Sequence, residues 1–594
     1  MKNIKPFKTS VEALYNADFS AFSAFESIGN ESVRIFLNGR FYNAAQTDFL
    51  TNYLKDGLNY LKKIDGDYVV FIIEENKILI VRDRHGVGSQ VFYSAGYITS
   101  NLADFTSLDG FNCKPDIDSL FTFLSIGFIP SPQSSLEGVK KLGAGFALVI
   151  EKNAQSVIDL YPVEDFLAKA NTCKLSMDEA TTEYERLHKL AIAQRITGEN
   201  KVGLLLSGGY DSGGNISALR DIYNGPVTSF SIGFKNNKWT ELPLAKILAD
   251  TYGSTHYDYE IDGTEILELP QIIAQTGDPF QEGGLFVNFT AMKLVKNSNE
   301  QPDLILGGDG NDQHFGTSGK ELALNWKIKQ KKIQFLQHIF DTVGNSSLFE
   351  KDNILFRSEF HNRKILHVQQ CDVFGFTQSQ LSKINLQNRK IKAPAYLKDH
   401  PVKFDNFDAF FFNRNVNIDI KQVINNVILF KSSRMAELFG NNMTFPYMST
   451  ELYNFLATLP VDFKFHGTLD ELSKGKGSSK YLHKKYLKPK LPTEITDRKK
   501  QGGFAPLPIF LKDEKQRNSI FAYIKKSDLV KQLFKPAAIE NLLNQYSITA
   551  GTSGYWFWYQ QVKANQIVNL LTLAVWWDMI INKKPTIQSI EELY

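Results

Sequence analysis

The stretch Gly203-Leu204-Leu205-Leu206-Ser207-Gly208-Gly209-Tyr210-Asp211-Ser212 constrains this 594-residue chain more than any other. A short apolar run closed by Ser-Gly-Gly predicts a buried strand that delivers a loop. From Gly213 to Asp221 the composition turns helical, with Ile216, Leu219 and Arg220. The loop therefore falls between a strand end and a helix start, where unpaired backbone N–H groups and the helix dipole favour an anion. The adjacent glycines Gly208 and Gly209 let the backbone approach a phosphate, and Ser207 and Ser212 add hydroxyl donors. Asp211, an anion itself, is suited to hold a Mg²⁺ that bridges phosphate oxygens. No lysine follows the second glycine, so this is not the Walker spacing. A plain strand–turn–helix link would use the same glycines for geometry alone.

A chain of this length exceeds one core, and two or three domains are expected. Its 43% apolar and 22% charged residues are ordinary for a soluble globular protein. A net charge of +3 gives no reason to expect nucleic acid as a partner. Met1 to Phe19 is too polar for a signal peptide, and no apolar run reaches membrane-spanning length. The longest, Ile567 to Ile581, carries Asn569 and Asp578 and reads as a buried helix. Cys113, Cys173 and Cys371 lie too far apart for a disulfide framework or a metal knuckle, so a reducing cytoplasm is the default.

Residues 1–165 read as β-rich: a strand at 33–37, a hairpin of 67–73 with 77–81, and a later strand at 145–150. From 175 onward, strands at 203–206, 227–232 and 303–306 alternate with helical stretches. That alternation argues for a doubly wound parallel sheet with ligand at the carboxyl ends of its strands. Beyond 320 the chain reads as mostly helical, and 325–410 shows no assignable pattern.

Ser-Gly-Gly-x-Asp-Ser resembles the pyrophosphate loop of ATP-pyrophosphatases. Further motifs follow in order: Ser231-Ile232-Gly233-Phe234, Asp278-Pro279-Phe280, Leu306-Gly307-Gly308-Asp309-Gly310-Asn311-Asp312, Lys480-Tyr481-Leu482 and Arg498-Lys499-Lys500-Gln501-Gly502-Gly503-Phe504. Together they resemble the synthetase domain of the asparagine synthetase family over most of 200–580. The first half resembles that family's glutaminase domain through Asn38-Gly39-Arg40-Phe41-Tyr42-Asn43, Asp65-Gly66-Asp67-Tyr68, Arg82-Asp83-Arg84-His85-Gly86 and Gly127-Phe128-Ile129-Pro130. The resemblance implies an αββα glutaminase-like domain over 1–165 and an ATP-pyrophosphatase domain with helical additions over 175–594. Glutaminases of this class use an N-terminal Cys as nucleophile, whereas position 2 here is Lys and the first cysteine is Cys113. Arg40 also replaces the Glu of the Asn-Gly motif. The first domain is therefore expected to be a scaffold without glutaminase activity.

The chemistry implied is activation of a carboxylate as an acyl-adenylate with release of pyrophosphate, followed by attack of an amine. In that scheme Ser207, Gly208, Gly209, Asp211, Ser212, Gly233 and Gly308 bind ATP, and Asp211 and Asp312 share Mg²⁺. Lys500 neutralises the leaving pyrophosphate, with Lys499 as its competitor because one extra residue separates Arg498 from Phe504. Asp309 stands where the family has Glu and serves as general base or as a recognition group. His314 is a second candidate base, though a packed histidine is the plainer reading. Asn442 and Thr444 replace a usual Glu and Arg, which removes a pocket ion pair and argues against aspartate as substrate. A synthetase site without a glutaminase points to an amine carried by the substrate itself, and Asn311-Asp312-Gln313-His314-Phe315-Gly316 is close to the pattern of lasso-peptide macrolactam cyclases. The expected substrate is then a precursor peptide, with a maturation protease and a leader-binding protein as partners. The alternatives are β-lactam-type ring closure, an amidotransferase using free ammonia, and a regulatory scaffold with a fossil ATP site.

Overall fold

The computed structural model describes residues 4–30, 32–152, 154–316, 319–330, 350–370, 374–386, 404–497, 505–552 and 554–584. The amino-terminal part holds two antiparallel sheets. One has the order β1-β7-β6-β8, from Lys8–Ser10 (β1), Tyr97–Thr99 (β7), Phe92–Tyr93 (β6) and Lys140–Lys141 (β8). The other has the order β10-β9-β5-β4-β3-β2, from Ala154–Asp159 (β10), Phe146–Glu151 (β9), Lys77–Arg82 (β5), Gly66–Glu74 (β4), Val33–Phe41 (β3) and Glu26–Gly29 (β2). Strand β4 shows how sequence alternation builds the stack. Val70 and Ile72 pack with Phe49, Tyr53 and Leu61 on one face, while Val69, Phe71 and Ile73 pack with Phe22, Val91 and Ile98 on the other. Strand β3 runs past the end expected at Leu37 and stays paired through Arg40↔Asp67 and Phe41↔Gly66. A Cβ on Gly39, whose φ is +124°, would lie 2.1 Å from the Asp67 carbonyl oxygen, so the strand continues there only because the residue is glycine.

The second part is built on a parallel sheet of order β13-β12-β11-β14-β15. Its strands are Thr255–Ile261 (β13), Val227–Phe234 (β12), Val202–Leu205 (β11), Leu304–Leu306 (β14) and Met443–Thr444 (β15). Val202 pairs with Val227 on one side and Leu304 on the other, which makes β11 the central strand. Central parallel strands are covered on both faces, which is why 202–206 reads as an unbroken apolar run. The helices that position the site are Met177–Ile196 (α1), Tyr210–Ile222 (α2), Leu242–Thr251 (α3), Leu429–Leu438 (α4) and Tyr481–Leu487 (α5). Helix α1 starts with a capping box between Ser176 and Glu179. Helix α4 continues a helical run from Phe407, with a π-helical stretch over Asn415–Ile428. Within the segment without an assignable pattern, the described residues include helices Ile354–Gln370 and Gln378–Ile384.

The carboxy-terminal helical region corrects one expectation. Phe557–Ile581 forms 25 continuous helical residues, long and apolar enough to cross a membrane. It lies within the protein instead, with 89% of its most apolar window buried. Trp576 is fully buried there and donates from Nε1 to the Gly277 carbonyl at 3.0 Å.

The two parts are pinned together by polar contacts. The Arg195 guanidinium meets Asp65 at 2.9 Å with both side chains almost wholly buried. Arg195 also donates to Thr444, which accepts a 2.9 Å bond from the Tyr42 hydroxyl. Asp278 accepts from Ser135 and pairs with Lys141 at 2.7 Å. The Arg434 guanidinium donates to the carbonyls of Val87 and Gly88.

Candidate functional site

The carboxyl ends of β11, β12 and β14 open on one end of the sheet. Helix α2 begins at Tyr210, so Asp211 and Ser212 sit in its first turn, where the helix dipole and free N–H groups gather. The turn before it is tied by the two serines. Ser212 Oγ donates to the Ser207 carbonyl at 2.9 Å and accepts from the Ser207 N–H at 3.0 Å. A Cβ on Gly208 would fall 2.4 Å from Leu244 Cβ, so α3 packs directly on the turn. A Cβ on Gly209 would meet only Ser207 Oγ, at 3.3 Å, so the loop backbone is open at this residue. Gly308 brings the loop after β14 against the start of α2, its Cβ position lying 3.2 Å from the Ser212 nitrogen. On β12, a Cβ on Gly233 would meet Thr240 Oγ1 at 2.3 Å and Leu242 Cδ1 at 2.6 Å.

Asp211 and Asp312 arrive from different strand ends and converge on one cation. The Lys480 ammonium lies 2.5 Å from Asp211 Oδ2 and 2.7 Å from Asp312 Oδ1. Lys480 is buried and holds a left-handed backbone, φ +55°, just before α5. The other oxygen of Asp211 accepts from Asn311 Nδ2 at 2.7 Å and lies 3.2 Å from His483 Nε2. A buried relay stands behind it, in which the Tyr184 hydroxyl bonds Asn311 at 2.9 Å and meets His483 Nδ1 at 3.0 Å. Burial pulls the His483 imidazole below its usual pKa.

Two carboxylate oxygens within hydrogen-bond distance of one ammonium nitrogen are a donor set that suits a divalent cation. Among the described residues no group of three His, Cys, Asp or Glu side chains makes a fuller ligand set. The Asp211–Asp312 pair fits Mg²⁺, which binds through one or two carboxylates and completes its shell with water and phosphate.

Asp309 extends from the loop after β14 toward α4. It accepts a 2.9 Å bond from Ser432, and beside it Lys431 forms an ion pair with Glu282. Burial raises the Asp309 carboxyl above the usual carboxylate range, against the opposing pull of the Lys431 charge and the Ser432 hydrogen bond. His314 is packed: its Nε2 bonds the Tyr447 carbonyl at 2.8 Å, and burial takes its pKa down to about 3. Its setting is that of a packed histidine. Lys499 and Lys500 lie outside the described residues.

Lys480, His483, Lys431 and Ser432 were not singled out by the sequence as site residues. Lys480 carried a usable signal, since among the described residues it is the motif lysine that directly precedes a helix bearing two more, Lys484 and Lys485. Thr444 lies on the edge strand and Asn442 just before it; Asn442 donates to the Asp303 carbonyl and Thr444 joins the Arg195 contact between the two parts.

The family profile described as asparagine synthase matches residues 183–578. The chain belongs to the asparagine synthase family. A glutamine amidotransferase domain profile matches residues 30–161, so the order of the two parts is also that of asparagine synthetase-like proteins. A putative asparagine synthetase [glutamine-hydrolyzing] 2 of Methanocaldococcus jannaschii is 28% identical over 50% of this chain and 58% of its own length. A putative asparagine synthetase of Mycobacterium bovis is 21% identical over 75% of this chain and 66% of its own length. Asparagine synthetase [glutamine-hydrolyzing] 1 of Bacillus subtilis is 24% identical over 73% of this chain and 67% of its own length. The chain thus spans from over half to about two thirds of the length of these relatives.

Proposed function

We propose that this chain is an ATP-dependent amide-forming ligase of the asparagine synthetase type, working through an acyl-adenylate. The observation that carries the reading is the convergence of Asp211 and Asp312 on one cation beside the Ser207–Ser212 turn. In this scheme the open backbone at Gly209 and the first turn of α2 hold the phosphates of ATP. A substrate carboxylate oxygen attacks the α-phosphorus, and the bond to the β-phosphate oxygen breaks with pyrophosphate as leaving group. Lys480, beside the two aspartates, balances charge on the leaving group. Mg²⁺, held by Asp211 and Asp312, would supply further neutralisation across the phosphates. An amine nitrogen then attacks the acyl carbon, AMP leaves with the bonding pair, and Asp309 accepts the proton released from nitrogen. Burial raises its pKa above the usual carboxylate range, which makes it a stronger base than an exposed aspartate.

The amino-terminal domain is read as lacking glutaminase activity. The Asn38 side chain is engaged within the domain, accepting from the Lys5 N–H at 2.9 Å and donating to the Lys5 carbonyl at 2.8 Å and to Ser89 Oγ at 3.3 Å. Arg40 is committed to Glu199 at 2.8 Å. Both observations favour a nitrogen source other than glutamine hydrolysed in this domain. They also support a second reading, in which the amine belongs to the same molecule as the activated acid and closes a ring, as in a macrolactam or β-lactam. A precursor peptide, with a maturation protease and a leader-binding protein, would be the partner set of the macrolactam form.

Product analysis tests the scheme. ATP should be converted to AMP and pyrophosphate, and ADP as the main product would overturn it. Glutamine should yield no ammonia. With ¹⁵N-ammonium supplied, label in the product amide identifies an external nitrogen donor, and its absence from a product that has lost one water identifies ring closure.

A further inference from the structure

The larger sheet of the first part ends in an open edge. Strand β10 pairs with β9 in unbroken register, from Ala154↔Glu151 to Asp159↔Phe146, and its other side meets no strand among the described residues. An edge strand presents unpaired N–H and C=O groups, and proteins usually blunt it with charge, shortness, a bulge or a cover. The other edges of the three larger sheets follow that rule. Strands β1, β2, β8 and β13 carry Lys8, Glu26, Lys140 and Asp258, and β15 is two residues long. Strand β10 is six residues long and uncharged until Asp159, whose carboxylate is held by Lys421 at 2.6 Å. Residues 154–158 are exposed, with Val157 at 44% and Ile158 at 41%.

A cleft runs beside this edge. It is a cavity of about 400 Å³ between the two sheets, lined by Gln155 and Val157 of β10, Phe146 and Leu148 of β9, Tyr93 of β6 and Lys140 of β8. Val157 stands opposite Leu148 in the ladder, so the two share the face that borders the cleft. Gln155 reaches to the other sheet and donates to the Ser94 carbonyl at 2.9 Å. No Asp or Glu lines the cleft, and its two charged residues are lysines. Lys141 is held by Asp278 at 2.7 Å, whereas the exposed Lys140 ammonium has no partner among the described residues. The cleft therefore carries positive charge that nothing in its wall offsets.

We propose that the β10 edge and this cleft bind an extended peptide segment of a partner protein, which adds a strand to β10, sets an apolar side chain into the cleft and places an acidic one against Lys140. In such strand addition the main-chain bonds supply affinity and the pockets for alternate side chains supply specificity. Six residues at about 3.4 Å each span about 20 Å of edge. A second copy of this chain is the competing occupant. Its β10 would bring no free acid to Lys140, since Asp159 is already paired, so charge favours the acidic peptide. None of these residues belongs to the Ser207 turn or to the Asp211–Asp312 pair, so the peptide site stands whether or not the ligase reading does.

Fluorescence anisotropy of the full chain with a pool of labelled hexapeptides tests the site. Each peptide has Glu at both ends and alternates Thr with Val, Ile, Leu or Phe between them, and each has a counterpart with Lys at both ends. At least one acidic peptide should bind, about ten-fold or more tighter than its Lys counterpart at low salt. Of the two alternate patterns of backbone N-methylation, one should abolish binding, because only one set of N–H groups faces β10. Lys140→Glu, at an exposed position, should reverse the charge preference, and Val157→Lys should weaken every acidic peptide. The proposal fails if no peptide binds, if neither methylation pattern weakens binding, or if Lys140→Glu leaves the preference unchanged. Concentration-dependent dimerisation in sedimentation equilibrium that Val157→Lys abolishes would give the edge to a second copy and overturn it as well.

Discussion

Asp211 and Asp312 share one cation, so neither carboxylate can replace the other. Asp211→Asn and Asp312→Asn should each lower pyrophosphate release by more than roughly 100-fold, since each removes a charge that a phosphate-bound cation needs. Pyrophosphate release at wild-type rate in either variant would place the metal elsewhere. Asp309 has a different signature. Burial raises its pKa, and its basic form exists only above that value, so kcat/KM should rise with pH through a carboxylate ionisation displaced upward from the ordinary range. Asp309→Asn should cost roughly 10²–10⁴-fold in kcat and flatten that limb of the pH profile. An unchanged profile in the variant would assign the ionisation to another group and leave Asp309 a recognition residue.

Among the elements, the β3–β4 pair stores a pH-dependent cost. Asp67 on β4 faces Arg40 across the ladder and accepts a 2.5 Å bond from the Tyr42 hydroxyl. Burial drives its pKa up to about 6, despite the opposing Arg195 charge. A carboxyl raised in the folded state binds its proton more tightly there than in the unfolded chain. Its favourable contribution is therefore complete below the unfolded value and is lost as pH rises through about 6. The loss amounts to roughly 3 kcal/mol, on the scale of 1.36 kcal/mol per pH unit. Urea midpoints between pH 4 and 7.5 should fall more steeply for the wild type than for Asp67→Asn. Parallel slopes in the two proteins would show that Asp67 does not carry this cost.

At the scale of the whole molecule, the Arg195–Asp65 pair joins α1 to the loop before β4 with almost no solvent contact. Arg195→Ala leaves a buried carboxylate without its partner and should destabilise the protein by about 3–5 kcal/mol. The double variant Arg195→Met with Asp65→Leu should recover part of that loss, because no lone charge is then buried. If the double variant is no more stable than Arg195→Ala, the contact acts through packing and not through charge. Such a buried pair fits a seam in which the first part of the chain is a fixed wall of the second.

Turn chemistry and alternation were legible in the residues alone. Ser207 to Ser212 announced a strand, a tight turn and a helix start, and α2 begins one residue past the two glycines. The short apolar runs at 203–206 and 304–306 announced strands of a parallel sheet, because such strands are buried on both faces. Strand β3 outran its expected end because pairing with Asp67 and Gly66 overrode the turn preference of Asn38-Gly39. The length of the terminal helix was missed because Gln561, Lys563, Asn565 and Gln566 break the apolar pattern ahead of Ile567, although all four are buried inside the protein. The ion placed between Asp211 and Asp312 could not be read locally: Lys480 reaches them only through the packing of α5 against α1 and α2. The setting of Asp309 is likewise tertiary, since Ser432 and Lys431 come from a helix far along the chain. A sequence fixes which groups a turn presents, because backbone geometry there depends on neighbouring residues. Which distant charge faces those groups depends on how the helices pack, and that is decided only in the folded chain.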